Sequence, residues 1–183
     1  MTSRALSSVT TRRATLADAG LVAALASATF SETFGADNTP ANMALYIAKS
    51  FGEAIQREEL DDPRTIVILA EREGETVGYT MLREGRAPDA VGAAAGDAIE
   101  IARLYSVTHL IGAGIGATLM QRCIDEAAAR GKQVIWLGVW ERNARAIAFY
   151  ARWGFTDVGS LAFTLGHDRQ TDRVMARRVG VED

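Results

Sequence analysis

Cysteine is nearly absent. The chain of 183 residues has one, Cys123, which excludes an internal disulfide framework and suits a reducing, cytoplasmic setting. Histidine is almost as scarce, with His109 and His167 alone, and these three residues lie too far apart to suggest a structural zinc site. No apolar run approaches the length that crosses a bilayer, and the opening Met1-Thr2-Ser3-Arg4-Ala5-Leu6 lacks the apolar core of a signal peptide. A net charge of −3 offers no bulk attraction to nucleic acid or to an anionic membrane, so neither is expected as a partner. Lysine is confined to Lys49 and Lys132, and the many arginines read as compositional bias rather than as a phosphate-binding surface.

What remains is ordinary globular material. Hydrophobic residues make up 48% and charged residues 23%, enough for one domain over residues 1–183 with a real core and a frayed start at 1–8. A strand is predicted at 10–14. Thr15 then caps a helix with Asp18 in its first turn, and Leu21, Val22, Leu25, Ala26 and Ala28 form its apolar stripe. Pro40 opens a second helix reaching Ile47 and Phe51, and a third runs over 53–60. The period then changes. Residues 65–70 and 76–83 form a hairpin around Glu73-Gly74-Glu75. Residues 84–97 read as a loop, and 98–107 as a third strand. Ile115, Leu119, Cys123, Ile124 and Ala127 mark a helix stopped by Gly131, followed by a central strand at 134–139, a helix at 143–152 and a strand pair at 156–165 and 171–179. The class is α/β, with helices on both faces of the sheet.

Two stretches carry the chemistry. Gly112, Gly114 and Gly116 stand between a strand and a helix, where missing side chains let phosphate oxygens reach the free N–H groups of the helix start. A P-loop would need Gly-Lys-Ser/Thr, and Gly116 is followed by Ala117-Thr118. A dinucleotide fingerprint, Gly112-x-Gly114-x-x-Ala117 with Glu141 as ribose ligand, also fits and suggests a nicotinamide-dependent oxidoreductase. That alternative leaves the second stretch unexplained. Residues 139–155 join a strand to a short helix with Asn143 in its first turn and Tyr150 near its end.

Leu104-Tyr105-Ser106-Val107 leading into Ile111-Gly112-Ala113-Gly114-Ile115-Gly116 resembles the acetyl-CoA signature of the GNAT N-acetyltransferases, Gln/Arg-x-x-Gly-x-Gly/Ala, with Ile111 in place of the Arg or Gln. Asn143, Ala146, Phe149, Tyr150, Gly154 and Phe155 match the family's second block. Ser31-Glu32-Thr33-Phe34, Asn38-Thr39-Pro40, the strand through Trp140, and Gly166-His167-Asp168-Arg169-Gln170-Thr171-Asp172 are similar to the bacterial spermidine/spermine branch.

The resemblance implies a GNAT-like, mostly antiparallel twisted sheet of about six to seven strands. It implies acetyl-CoA (coenzyme A) as co-substrate and direct acetyl transfer to a primary amine, a polyamine being one candidate. It implies coenzyme contacts from Tyr105, Ser106 and Val107, from Ile111, Gly112, Ala113, Gly114, Ile115, Gly116 and Ala117, and from Asn143, Ala146, Phe149 and Tyr150. Tyr150 would be the general acid toward the departing sulfur. A bulge near Tyr105–Val107 would open backbone amides for the oxyanion. Glu100 is the family-like base, Glu32 the second candidate, and His109 the choice by ordinary pKa. Asn143 also reads as a plain helix cap, and Cys123 as a buried structural thiol. The acidic run over 53–62 either lines the acceptor cleft or is a solvated face, and Trp136 to Trp140 could form the seam of a homodimer. A non-enzymatic acyl-CoA-binding module is the remaining rival.

Overall fold

The computed structural model describes residues 8–85 and 87–180; residues 1–7, most of the segment expected to fray, lie outside them. Seven strands form one sheet: β1 (Thr10–Arg13), β2 (Thr65–Arg72), β3 (Glu75–Glu84), β4 (Ala98–Ser106), β5 (Val134–Trp140), β6 (Thr156–Leu165) and β7 (Asp168–Arg178), in the order β1-β2-β3-β4-β5-β7-β6. Every neighbouring pair is antiparallel except β4 and β5. A parallel pair needs a crossover, and helix α4 (Ile115–Ala129) supplies it.

Helices α1 (Ala19–Phe34), α2 (Pro40–Ser50) and α3 (Glu53–Asp61) cover one face, while α4 and α5 (Ala144–Arg152) cover the other. β2 shows why. Ile66, Ile68 and Ala70 join the α4 core while Val67 and Leu69 join the α1 core, so its apolar run is continuous.

The start of α1 follows local chemistry. Thr15 and Asp18 make a reciprocal capping box around a 3-10 turn at Leu16–Asp18, and Arg12 grips Asp18 at 2.8 Å. The expected stripe is partly wrong. Ala19, Val22, Leu25, Ala26, Thr29 and Phe30 are buried, whereas Leu21 and Ala28 are exposed. Nearly every residue here is apolar or small, so the periodicity did not choose a face.

The 84–97 segment is irregular as expected, but it is a structural cover. Over Asp89–Asp97 it makes 3-10 turns broken at Gly92 (φ 80°). Ala87 and Ala98 pack with Trp136, Val174 and Ala176, closing the sheet where no helix lies.

Two features of β4 prepare the site. Met81 opposes Arg103 while Leu82 opposes Ile101, so Ala102 is one residue too many. The bulge therefore lies at Ala102 and not at Tyr105–Val107. Downstream, Gly78 keeps the strands close, since a Cβ there would come within 2.8 Å of the Tyr105 carbonyl, and the Val107 amide donates to Val77 O at 3.0 Å. The bulge also resets which face each side chain takes. Ile101 and Leu104 both face α4, while Glu100 interacts with Arg83 and Arg103, and Tyr105 packs on the α1 face. Second, β4 pairs with β5 only through Ala98, Ile99 and Glu100, after which the two strands part.

Candidate active site

The parting of β4 and β5 opens a cavity of about 150 Å³ that passes through the sheet. On the α4 side its wall is Ile101, Leu104, Asn143, Ala146 and Tyr150; on the α1 side it is aromatic, with Phe30, Phe34, Tyr46, Phe51, Tyr105, Trp140 and Phe163. Beyond Glu100 the facing edges of β4 and β5 have no ladder partner. Because Val107 N–H turns to β3, the alternation of an antiparallel ladder turns the amides of Ser106 and Leu104 toward the opening. An extended chain with amide groups can pair there as an added strand.

The glycine loop leads into α4 beside Phe149 of α5, and none of residues 106–117 lines the cavity. Gly112 and Gly114 have φ of 90° and 85°, a conformation in which a side chain is strained. Residues 111–114 are exposed, and no side chain caps α4, so the N–H groups of Ile115, Gly116 and Ala117 remain available at a positive dipole end. A Cβ on Gly116 would sit 3.6 Å from the Phe149 ring, an ordinary contact, so α4 and α5 pack together here without requiring the glycine. The loop's shape fits a diphosphate. Ile111 is 45% exposed and supplies neither the charge of an Arg nor the amide of a Gln, the two residues of the signature at this place.

The predicted chemical residues divide by position. Tyr150 is buried in the cavity wall, and burial pushes its phenol well above the ordinary tyrosine range, so it stays protonated. Asn143 caps α5, accepting from Ala146 N at 3.1 Å, while also lining the cavity. Cys123 is fully buried, its thiol pushed up to about 12 by burial and 3.2 Å from the Thr80 hydroxyl; it is structural.

The candidate bases sit elsewhere. Glu32, in the last turn of α1, accepts from Thr108 N at 3.3 Å and from the Thr108 hydroxyl, and it does not line the cavity. It clamps the turn before the glycine loop. Glu100 shares a face with Tyr105 but precedes the opening, and burial raises its pKa despite Arg83 and Arg103. His109 is exposed in the turn at Thr108–Leu110. His167 is exposed in the β6–β7 turn, where its backbone N–H donates to Asn42 Oδ1 at 3.0 Å.

The acidic run over 53–62 does not line the cavity. Glu53 pairs with Arg57 and Asp62 with Arg64, and Glu59 takes Arg103 through two contacts of 2.7 and 3.0 Å. The tryptophans are also used inside the protomer. Trp136 lies under the 84–97 cover, and Trp140 lines the cavity against Phe34 at 6.0 Å between ring centroids.

Two features were missed. Arg103 forms part of the wall, held by Glu59 and by Gln56 at 3.2 Å. Asp172 also lines the cavity, and its Oδ1 is buried without a hydrogen-bond partner. The alternation of Gln170, Asp172, Val174 and Ala176 along β7 was the available signal.

The sheet is opened at its one parallel seam, with an uncapped helix start beside α5 on one face and an aromatic chamber on the other. Residues 27–155 match the Acetyltransferase (GNAT) family, and the chain belongs to that family. An uncharacterized N-acetyltransferase of Mycobacterium tuberculosis is 34% identical over 90% of this chain and 99% of its own length. Among solved structures, the paiA N-acetyltransferase of Thermoplasma acidophilum in complex with coenzyme A has a TM-score of 0.75 at 16% identity, covering 93% of this chain and 99% of that one. Salmonella typhimurium yncA with acetyl-CoA has a TM-score of 0.72 at 21% identity, covering 97% of each chain. These two structures show a common fold, and coenzyme A or acetyl-CoA is held in each. The dinucleotide alternative falls here, since the sheet has one parallel pair and no doubly wound core. Among the described residues, no helix is long and apolar enough to cross a membrane.

Proposed function

We propose that this chain moves the acetyl group of acetyl-CoA directly to the nitrogen of a primary amine, with Tyr150 as proton donor to the departing sulfur. The observation that carries this reading is the burial of Tyr150 in the wall of the β4–β5 opening. In it, the loop of Gly112, Ala113, Gly114, Ile115, Gly116 and Ala117 holds the diphosphate. The freed edge of β4 pairs with the pantetheine amides, through Ser106 and Leu104 rather than through Tyr105 or Val107. Asn143 and Ala146 shape the α5 side of the channel, and Phe149 packs beside Gly116 at the start of α4.

Acetyl-CoA supplies an activated carbonyl carbon and a thiol leaving group. The chain must stabilise charge on the carbonyl oxygen, for which the Leu104 amide is the nearest unpaired donor along the strand after the bulge. It must also meet the thiolate, whose conjugate acid lies near 8.5 in water. A phenol kept neutral by burial donates a hydrogen bond as negative charge gathers on sulfur, and passes its proton as the C–S bond breaks.

Replacing Tyr150 with Phe keeps the ring and removes the donor. Turnover should fall at least about tenfold, within the usual range for general acid catalysis, with coenzyme affinity unchanged by calorimetry. Equal turnover in the two proteins would remove Tyr150 from this role.

The likeness to the spermidine/spermine branch keeps polyamines among the amines to assay. The cavity itself favours a single cationic head, because the acidic run over 53–62 lies outside it, with Glu53, Glu59 and Asp62 already paired to arginines. A non-enzymatic coenzyme-binding module would not need a buried phenol beside an acceptor chamber.

A further inference from the structure

We propose that Asp172 seats the acceptor's ammonium and takes its proton, and that the acceptor is a primary amine on a compact apolar or aromatic body; this rests on the acetyl-transfer reading above. The first argument is an unmet bond. Asp172 Oδ1 is buried and accepts no hydrogen bond from the protein, although buried polar oxygens are ordinarily satisfied. An ammonium brings three donors and no acceptor.

The second argument is charge. Arg103 and Asp172 are the two charged side chains in the cavity lining. Arg103 is satisfied by Glu59 and Gln56 and lies over the Phe51 ring at 5.1 Å. Asp172 is left without a counter-charge, and Glu141 at the end of β5 adds to its negative field. The other titratable group facing it is Tyr46 from α2, while Arg173, next on β7, is drawn to Asp157 at 3.1 Å.

The third argument is surroundings. Trp140 stands opposite Asp172 in the β5–β7 register, and Phe34, Tyr46 and Phe163 complete a box of rings. Ring faces attract a cation and accept an apolar body. A single carboxylate matches a single ammonium; the second cation of a polyamine would meet no free counter-charge among the lining residues.

Position supplies the fourth argument. Asp172 is on the α1–α2 side of the opening and Tyr150 on the α4 side, so base and acid flank the place where β4 and β5 part. The ammonium gives one proton to Asp172, and the nitrogen lone pair forms the C–N bond to the acetyl carbon. The C–S bond breaks, the second nitrogen proton replaces the one that Tyr150 gives to sulfur, and the Asp172 proton leaves to water. Burial lifts the Asp172 carboxyl to about 6, which narrows its gap to an alkylammonium near 10.4.

The test uses the whole chain with acetyl-CoA and three probes: 2-phenylethylamine, butylamine and spermidine. The unaltered protein should acetylate 2-phenylethylamine with at least tenfold higher kcat/KM than spermidine. Asp172→Asn should lower kcat/KM for 2-phenylethylamine at least tenfold and erase its fall below about pH 6, with calorimetric coenzyme affinity held within twofold. Asp172→Glu should restore part of the activity. An unchanged rate and pH profile in Asp172→Asn overturns the proposal, as does a preference for spermidine. Coenzyme binding with none of the monoamines acetylated also overturns it and leaves the coenzyme reading intact. Absence of coenzyme binding in the unaltered protein is the separate failure of the reading beneath it.

Discussion

Asp172 shows at the scale of one residue how a site opposes stability. Burial first, and Glu141 second, lift its carboxyl from 3.8 to about 6. The folded state therefore keeps a proton that the unfolded chain has already lost, and stability falls as pH rises from about 4 to about 6. Above that window the full cost of the buried charge remains. At about 1.4 kcal/mol per pH unit the cost approaches about 3 kcal/mol, and solvent screening of a half-buried group reduces it to roughly 1 kcal/mol. Asp172→Asn should thus be more stable than the natural protein by about 1 kcal/mol at pH 7.5, with the advantage gone near pH 4. Urea unfolding at the two pH values measures this. A variant less stable at pH 7.5 would make Asp172 a structural residue. Gly166 is the contrasting case. Its φ is 62°, and a Cβ would meet the Asn42 backbone at 2.6 Å, so Gly166→Ala should cost about 2 kcal/mol or more by the same unfolding measurement.

At the scale of elements, the opening in the sheet is produced by short-range devices. The bulge at Ala102 turns β4, the parallel pairing ends at Glu100, and Gly138 leaves a gap between Trp136 and Trp140 on the acceptor side of β5. A Cβ on Gly138 would lie 3.4 Å from Asp172 Oδ2 and 3.9 Å from Leu161. Gly138→Val should therefore raise the KM for the amine at least about tenfold while coenzyme affinity stays as it was; a parallel loss of coenzyme binding would mean that the strand itself had moved. Much of this architecture was legible. Caps, glycine stops and apolar runs placed all seven strands and five helices, because each rests on neighbours in sequence. The position of the glycine loop before α4 and of Tyr150 on α5 was legible for the same reason. The bulge was misplaced because it depends on which β3 residue faces which β4 residue, and no local pattern encodes that pairing. Glu100, the family-like candidate base, and Glu32, the second candidate, both fall outside the cavity lining, Glu32 bonded to Thr108 and Glu100 placed before β4 leaves β5, and neither placement follows from local sequence. The chamber was read least well. Its rings come from α1, α2, β4, β5 and β6, and only the folded sheet brings Phe34, Tyr46 and Phe163 together.

The whole molecule carries a net charge of −3, so in the proposed reading an anionic coenzyme is drawn in by local donors rather than by the overall field. With Ile111 where the signature has Arg or Gln, the proposed grip on the diphosphate falls to backbone N–H groups at α4. Two consequences follow from mass action and screening. A ligand that binds only the folded state adds about 2.7 kcal/mol at a hundred times its Kd. For a chain of this size that raises Tm by roughly 5–10 °C. Coenzyme A should produce such a shift and NADH none, since the glycine loop is followed here by a split sheet rather than a ribose-binding edge. Ile111→Arg should strengthen coenzyme binding by a factor of roughly two to five at low salt, with the gain shrinking as salt is raised, because an exposed ion pair contributes little and is screened. If the arginine left affinity unchanged at every salt concentration, the diphosphate would not lie beside residue 111. Calorimetric titration of coenzyme A into both proteins at two ionic strengths decides it.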